Sequence, residues 1–383
     1  MKTPMKHIIL RYEDHAPTAS RVAPLLEGAK TVHLHQLAQA GAAGVIKPRE
    51  SGHGLNRFEL HRGLLGLSLD DAEGTAGHCY ASGLNLHVKD ETLWCCEFVT
   101  QQGGAIIDPT AGSISTTESE VLIQALNDQL GSEARRWVVG QGSRHVLVMT
   151  DPALSHEQTI RLYPPELAVG QPWRRALPKS DVGAALESLI EQGAKVLEEH
   201  PINRVRLDLG ENPANMLWLW GGAPKRSARS FTERTGFSGA LVSTAFPLRG
   251  LAQSLGLLWT EGPASYEEPA LQRLLKSLLA LVDRHDVIYV HFRIDTADPV
   301  ERLCAMERID QLLLKPLTEH VPAKNPWRLL TVVDDRSQAM VPFVAIGSGL
   351  PQHPVVQLQT QQCAETPLAF PDGVGLFSWL TKT

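Results

Sequence analysis

The residues able to do chemistry in this chain fall into separate groups. His200, Asn203, Arg204 and Arg206, in the run HPINRVR, form a basic, loop-forming cluster. Its guanidinium forks suit phosphate or carboxylate. A second group, Arg11, Glu13, Asp14 and His15, closes the apolar run Lys6 to Arg11. In open α/β sheets, ligand-binding groups collect at the carboxyl ends of such strands. A third stretch, Ser51 to Asn56 (SGHGLN), is a glycine-rich loop ahead of a helical pattern, Arg57 to Gly66. Its backbone amides could cradle an anion, although a plain connector fits the same residues. His61, beside Arg62 on that helix, reads as a structural histidine, with ligand binding as the alternative, and neither Ser51 nor His53 has the spacing of a catalytic pair. The cysteines Cys79, Cys95, Cys96, Cys304 and Cys363 have no CxxC pairing and no zinc spacing, so they read as reduced thiols.

These residues need elements to position them. Lys6 to Arg11 predicts a buried strand, followed by helices over Val22 to Ala29 and Thr31 to Ala40, which Gly41 would stop. From about Gly77 to Leu177 the pattern turns strand-like, with segments at Leu84 to Val88, Trp94 to Thr100, Ala105 to Ile107, Trp137 to Val139 and His145 to Met149. Among them lies an amphipathic helix, Thr116 to Leu130, with Thr116 and Thr117 as its expected caps. Pro164-Pro165 and Pro172 to Pro178 mark an exit linker. Asp181 to Glu199 follows as a helix capped by Asp181, and the apolar run Ala214 to Trp220 is short enough for a buried strand. Short strands at Gly239 to Ser243, Asp286 to His291, Arg328 to Val333 and Val341 to Ile346 then alternate with helices at Leu248 to Leu255, Pro269 to Arg284 and Pro299 to Pro316. That alternation is the doubly wound pattern. Glu307 and Asp310 read as local caps or pairs on the last of these helices.

The 383 residues are 43% apolar and 20% charged, enough for two domains with a sizeable core. A net charge of −6 leaves no concentrated basic surface, which argues against nucleic acid or an anionic membrane as partner. MKTPMKHIILRYEDH has too short an apolar run for a signal peptide, and no 18 consecutive apolar residues occur, so the expected location is the cytoplasm.

The chain resembles the archaeal-type cofactor-independent phosphoglycerate mutases of the alkaline phosphatase superfamily. The resemblance rests on HPINR with Arg206, PANMLWLWGG, Ser230-Phe231 with Glu233-Arg234 and Gly236, GLAQSLG, DVIYVHFR, ERID, VPF, LLGL, and CEFVT running on to AGSIST. It implies an α/β, alkaline-phosphatase-like doubly wound core, expected over residues 1–76 and 178–383, with a small α+β domain inserted at 77–177. It also implies an ancestral reaction in which two divalent metals, such as manganese or zinc, activate a serine that carries phosphate between hydroxyls.

Position by position, the machinery departs from that pattern. The first aspartate ligand falls on Arg11, and the nucleophilic serine falls on Arg57 with Phe58 behind it; His61 keeps its match. The Asp…His segment after HFR shortens to Ile294-Asp295-Thr296-Ala297-Asp298, the later Asp-His pair becomes Asp334-Asp335, and the loop with the last histidine shrinks to Arg336 to Met340. An arginine in place of a carboxylate beside a divalent ion costs on the order of 10 kcal/mol. The expectation is that Arg11 and Arg57 face Asp334, Asp335 and Asp295 in a vacated pocket, with no metal and no cofactor. His200, Asn203, Arg204, Arg206 and Arg293 match the substrate side of the family. They could bind a phosphorylated or carboxylated small molecule or, equally, join the two domains. Two functions follow: a non-catalytic binding, sensing or accessory protein, with a protein partner in the last case; or an enzyme acting on a small phosphorylated metabolite in the interdomain cleft, residual mutase or phosphatase-type activity included.

Overall fold

The computed structural model describes residues 5–14, 24–47, 56–68, 71, 75–86, 91–150, 162–223, 229–296, 298–321, 326–335 and 340–382. In chain order, β1 (Lys6–Asp14) leads through α1 (Leu25–Gly28) and α2 (Val32–Ala40) to β2 (Ala42–Ile46) and α3 (Arg57–Gly63). Next come α4 (Ala76–Gly83), β3 (Thr92–Gln102), β4 (Ala105–Asp108), α5 (Thr116–Leu130), β5 (Arg135–Gln141) and β6 (Arg144–Met149). These are followed by α6 (Asp181–Glu198), α7 (Pro201–Asp208) and β7 (Met216–Ala223). The chain then runs through α8 (Phe231–Thr235), β8 (Gly239–Ser243), α9 (Phe246–Leu255), β9 (Leu258–Glu261), α10 (Glu268–Arg284) and β10 (Val287–Ile294). It ends with α11 (Pro299–Ile309), a π-helical turn at Asp310–Leu314, α12 (Lys315–His320), β11 (Trp327–Asp334), β12 (Val341–Gly347), α13 (Thr360–Ala364), β13 (Ala369–Phe370) and α14 (Gly373–Thr381).

Two compact units result, one of Met1–Asp71 with Arg229–Thr383, the other of Ala72–Ala228. The first holds an eight-stranded sheet in the order β13-β2-β12-β11-β1-β10-β8-β9. β9, β8, β10, β1 and β11 are mutually parallel, while β12 runs antiparallel to both β11 and β2. β1 lies between β10 and β11 and is buried along its whole length, as a central parallel strand must be. Its two faces differ: Ile8, Leu10 and Tyr12 join Ile288, Val290 and Phe292 of β10 in an apolar core with Leu271, Leu278, Ile309 and Leu313. The alternate residues, Arg11 and Glu13, point the other way because side chains alternate along a strand. Asp310 caps α2 across the sequence rather than locally, accepting from His33 N at 2.9 Å and Leu34 N at 2.8 Å, while Glu307 accepts from Lys30 N at 2.8 Å.

The second unit is an antiparallel sheet, in which β3 pairs β4, β6 and β7, and β6 also pairs β5. This moves the boundary expected at residue 178. β7 pairs β3 from Leu93↔Ala223 to Val99↔Met216, so the return to the first unit comes after β7. α6 packs on β7 closely enough that a Cβ at Gly193 would sit 2.2 Å from Leu217 Cδ2. Local expectations also shift. Leu84 to Leu86 is no strand: Leu84 caps α4, and Asn85 takes a left-handed φ of 57°. His87 and Val88 lie outside the described residues, as do His15, Ser51, His53 and residues 336–339. Ser115 and Glu118 form the capping box of α5 in place of Thr116 and Thr117, and Ser180 rather than Asp181 caps α6. The helix expected from Pro299 to Pro316 is interrupted by the π-helical turn. Among the described residues, no helix is long and apolar enough to cross a membrane.

Candidate functional site

Four parallel strands, β8, β10, β1 and β11, end side by side, and their register brings polar side chains into one row. Arg11 lies opposite His291 on β10 and Val332 on β11; Glu13 lies opposite Arg293 and Asp334. Asn56 accepts from Phe58 N and Glu59 N at the start of α3, a helix that adds Arg57 and His61 to the row.

Asp334 is the centre of a charge cluster. Arg11 Nη2 donates to Asp334 Oδ2 at 2.6 Å, and Arg57 Nη2 donates to Asp334 Oδ1 at 3.2 Å. Arg11 also donates through Nη1 to the Arg57 carbonyl at 3.0 Å and lies 3.2 Å from Glu13 Oε2. The Arg11 and Asp334 side chains are 0% and 1% exposed, so solvent screens little of this. Burial acts to lower the Arg11 pKa, but Glu13, Tyr289 and Asp334 outweigh it, and the group is held above the ordinary arginine value.

Glu13 is a second centre, unexpected from the sequence. Its Oε2 is 3.0 Å from His61 Nε2 and 3.3 Å from His291 Nε2. A hydroxyl meets the far nitrogen of each ring: Tyr289 OH is 2.6 Å from His61 Nδ1, and Ser243 Oγ is 2.9 Å from His291 Nδ1. The two imidazoles meet edge to face at 4.8 Å. Burial lowers both histidine pKa values, well below 6.5 for His61, where Arg11 adds to the effect while Glu13 opposes it. At neutral pH both rings are therefore uncharged. The only signal in the sequence was period-two polarity near two strand ends, Arg11-x-Glu13 and Tyr289-x-His291-x-Arg293; nothing local says that these strands are neighbours.

The remaining candidates are elsewhere. Asp335 accepts from Leu25 N at 2.9 Å and does not meet Arg11 or Arg57 in any described ion pair. Asp295 pairs with Arg293 at 2.5 Å, where the two side chains are 48% and 21% exposed. His200, Asn203, Arg204 and Arg206 lie in the second unit, on a helix rather than the expected loop. His200 caps α7 through its ring, which accepts from Ile202 N, and Pro201 begins the helix. Asn203 is buried, donating to the Leu197 and Ala214 carbonyls and accepting from Ala214 N. Arg206 is buried too. Its donors go to the Asn212, Ala111 and Gly112 carbonyls and, at 2.7 Å, to Glu118. Of this cluster only Arg204 is exposed. Asn203 and Arg206 thus hold α7 to its own unit, and the four residues do not converge on one anion.

A sequence model described as 2,3-bisphosphoglycerate-independent phosphoglycerate mutase matches residues 38–203. The chain resembles the cofactor-independent phosphoglycerate mutases. The Methanosarcina acetivorans enzyme of that name is 26% identical over 323 residues, covering 81% of this chain and 80% of the enzyme. Its Methanosarcina mazei counterpart is 27% identical over 325 residues, with the same coverage. Among solved structures, the cofactor-independent phosphoglycerate mutase of Thermoplasma acidophilum superposes with a TM-score of 0.56 at 22% identity, covering 100% of this chain and 99% of that one. At that identity the likeness is one of fold, and the fold is α/β and alkaline-phosphatase-like.

Proposed function

We propose that this phosphoglycerate-mutase-like chain has lost the two-metal, serine-based phosphoryl transfer and works by binding, as a ligand sensor or as an accessory subunit to a partner protein. The observation that carries this reading is the double ion pair of Asp334 with Arg11 and Arg57. These are the positions that the mutase resemblance assigns to a metal-ligand aspartate (Arg11) and to the nucleophilic serine (Arg57). A guanidinium about 4 Å from a divalent ion is repelled by roughly 8 kcal/mol at an effective dielectric near 20, so this donor set does not fit two such ions. An arginine also has no lone pair to donate to a metal and no hydroxyl to phosphorylate. With both oxygens of Asp334 engaged by guanidinium groups, the cluster is internally paired.

The test is isomerisation of phosphoglycerate by the purified chain with manganese or zinc added, beside an active cofactor-independent mutase. The expected result is no turnover above the metal-only blank. Turnover that disappears in an Asp334→Asn variant would overturn the reading. The second reading, an enzyme with a different centre acting on a small phosphorylated metabolite, is favoured by the convergence of Glu13, His61 and His291. A thermal-shift screen of phosphorylated metabolites, with turnover followed for each hit, separates the two, since binding alone stabilises a sensor and an enzyme alike.

A further inference from the structure

α7 is held to its own unit by one face. Asn203 and Arg206, three residues apart, turn inward, and most of the remaining helix is exposed. The exposed part is apolar to an unusual degree. Val205, Leu207 and Leu209 are 56%, 60% and 70% exposed, and no other five-residue stretch among the described residues exposes more than one large hydrophobic side chain. Single exposed leucines are ordinary, whereas a cluster of them marks an interaction surface. We propose that this face of α7 is where two copies of the chain associate, their α7 helices packed antiparallel about a twofold axis. Dimerisation requires neither the loss nor the retention of phosphoryl transfer.

The charges select a second copy as the occupant. Arg204 and Asp208 are the exposed charges of α7, and among the described residues neither has a side-chain hydrogen bond or an ion pair. They do not pair with each other, and a base ahead of an acid is the weaker order for a pair four residues apart on a helix. Asp208 is also the last residue of the helix, where the dipole disfavours a carboxylate. At about 100° per residue, Arg204 and Asp208 form one row, with Val205 and Leu209 along one side of it and Leu207 on the other. A second α7 laid antiparallel satisfies these groups together. The twofold sets Arg204 against the partner's Asp208 and Asp208 against the partner's Arg204, and it brings each Asp208 toward the positive end of the opposite helix. The same operation turns Val205 and Leu209 toward their own copies on one flank, and Leu207 toward its own copy on the other. A parallel pairing would oppose like charges, and a partner of a single charge would satisfy only one residue of the row. A helix about 12 Å long covers less than the roughly 800 Å² per partner of a standard interface, so the dimer is weak, with a Kd on the order of 10–100 μM.

Sedimentation velocity of the full chain over a concentration series that brackets this range reads the association directly. Wild type is expected to pass from monomer to dimer within it. Arg204→Asp and Asp208→Arg should each weaken the dimer by about 10-fold or more, because the twofold turns both charge contacts into like-charge contacts. Mixed in equal amounts, these two variant chains should recover a dimer with one of each, since opposite charges then face each other at both contacts. A chain carrying both substitutions should recover the homodimer. Leu209→Lys should weaken association by about 10-fold or more as well, by placing an ammonium group in the apolar flank. All these side chains are exposed, so the variants should melt close to wild type; should Leu209→Lys fail to fold, the charge mixture decides. A wild type that stays monomeric throughout the series overturns the proposal. So does a dimer that tolerates Leu209→Lys, or a mixture of the two charge variants no more associated than its parts. Capture of a different protein on this face by a monomeric chain counts against it in the same way.

Discussion

Arg11→Met is the most direct perturbation of the charge cluster. The side chain is wholly buried and serves Asp334 at 2.6 Å, Glu13 at 3.2 Å and the Arg57 carbonyl at 3.0 Å. Methionine fills much of the volume but takes from Glu13 the guanidinium at 3.2 Å and from Asp334 the closer of its two described arginines. Removing one partner of a buried ion pair costs about 3–5 kcal/mol, because the other charge stays desolvated. The loss should depend on pH with a definite sign. Acid should relieve the loss, because a buried negative charge that has lost a guanidinium costs less once it is protonated. The difference from wild type should therefore shrink as pH falls from neutral toward the carboxylate range. Pairing the change with Asp334→Leu removes both partners, and the double variant should be at least about 1 kcal/mol more stable than the sum of single effects predicts. The assay is urea unfolding of the full chain, with hydrogen exchange of β1 and β11 amides assigning the transition to the first unit. A loss below about 1 kcal/mol, or one that does not vary with pH, would refute the view that Arg11 neutralises this cluster.

Two further outcomes test the second unit. Burial pushes the Glu97 pKa up to about 7, with Arg144 opposing and Glu166 adding to the rise, while Tyr80 OH and Trp220 Nε1 both donate to its Oε1. Its folded pKa is above the ordinary 4.5, so its contribution is complete below 4.5 and is lost as pH rises through 7. Glu97→Gln keeps the accepting oxygen and should be more stable than wild type at pH about 8 but not at pH about 5; equal melting curves at both pH values would reject this. Arg206→Ala should destabilise the chain by about 3 kcal/mol, since it leaves Glu118 and several loop carbonyls unserved. Lysine should restore only part of that loss, because it lacks the fork; a variant that melts like wild type yet loses a small-molecule ligand would return Arg206 to a binding role.

The chemistry of individual positions was legible from local pattern. Apolar runs at Lys6 to Arg11 and Asp286 to His291 announce buried strands, and the arginines at 11 and 57 declare a change of charge wherever they are placed. A strand reports its two faces through its own alternation, and a helix its stripe, so element type needs no partner. What the residues face does need one. The return of the chain to its first unit moved from residue 178 to after β7 because β7 pairs β3, across more than a hundred residues of sequence. Asn203 and Arg206 carry the same donors in either role; only the carbonyls brought to them by folding turn them from ligand binders into a clamp. Glu13, His61 and His291 have no common spacing in the chain. Parallel pairing of β1 with β10, and α3 laid across their ends, puts their donor atoms together, and the neutral state of the imidazoles follows from burial, a property of tertiary structure alone.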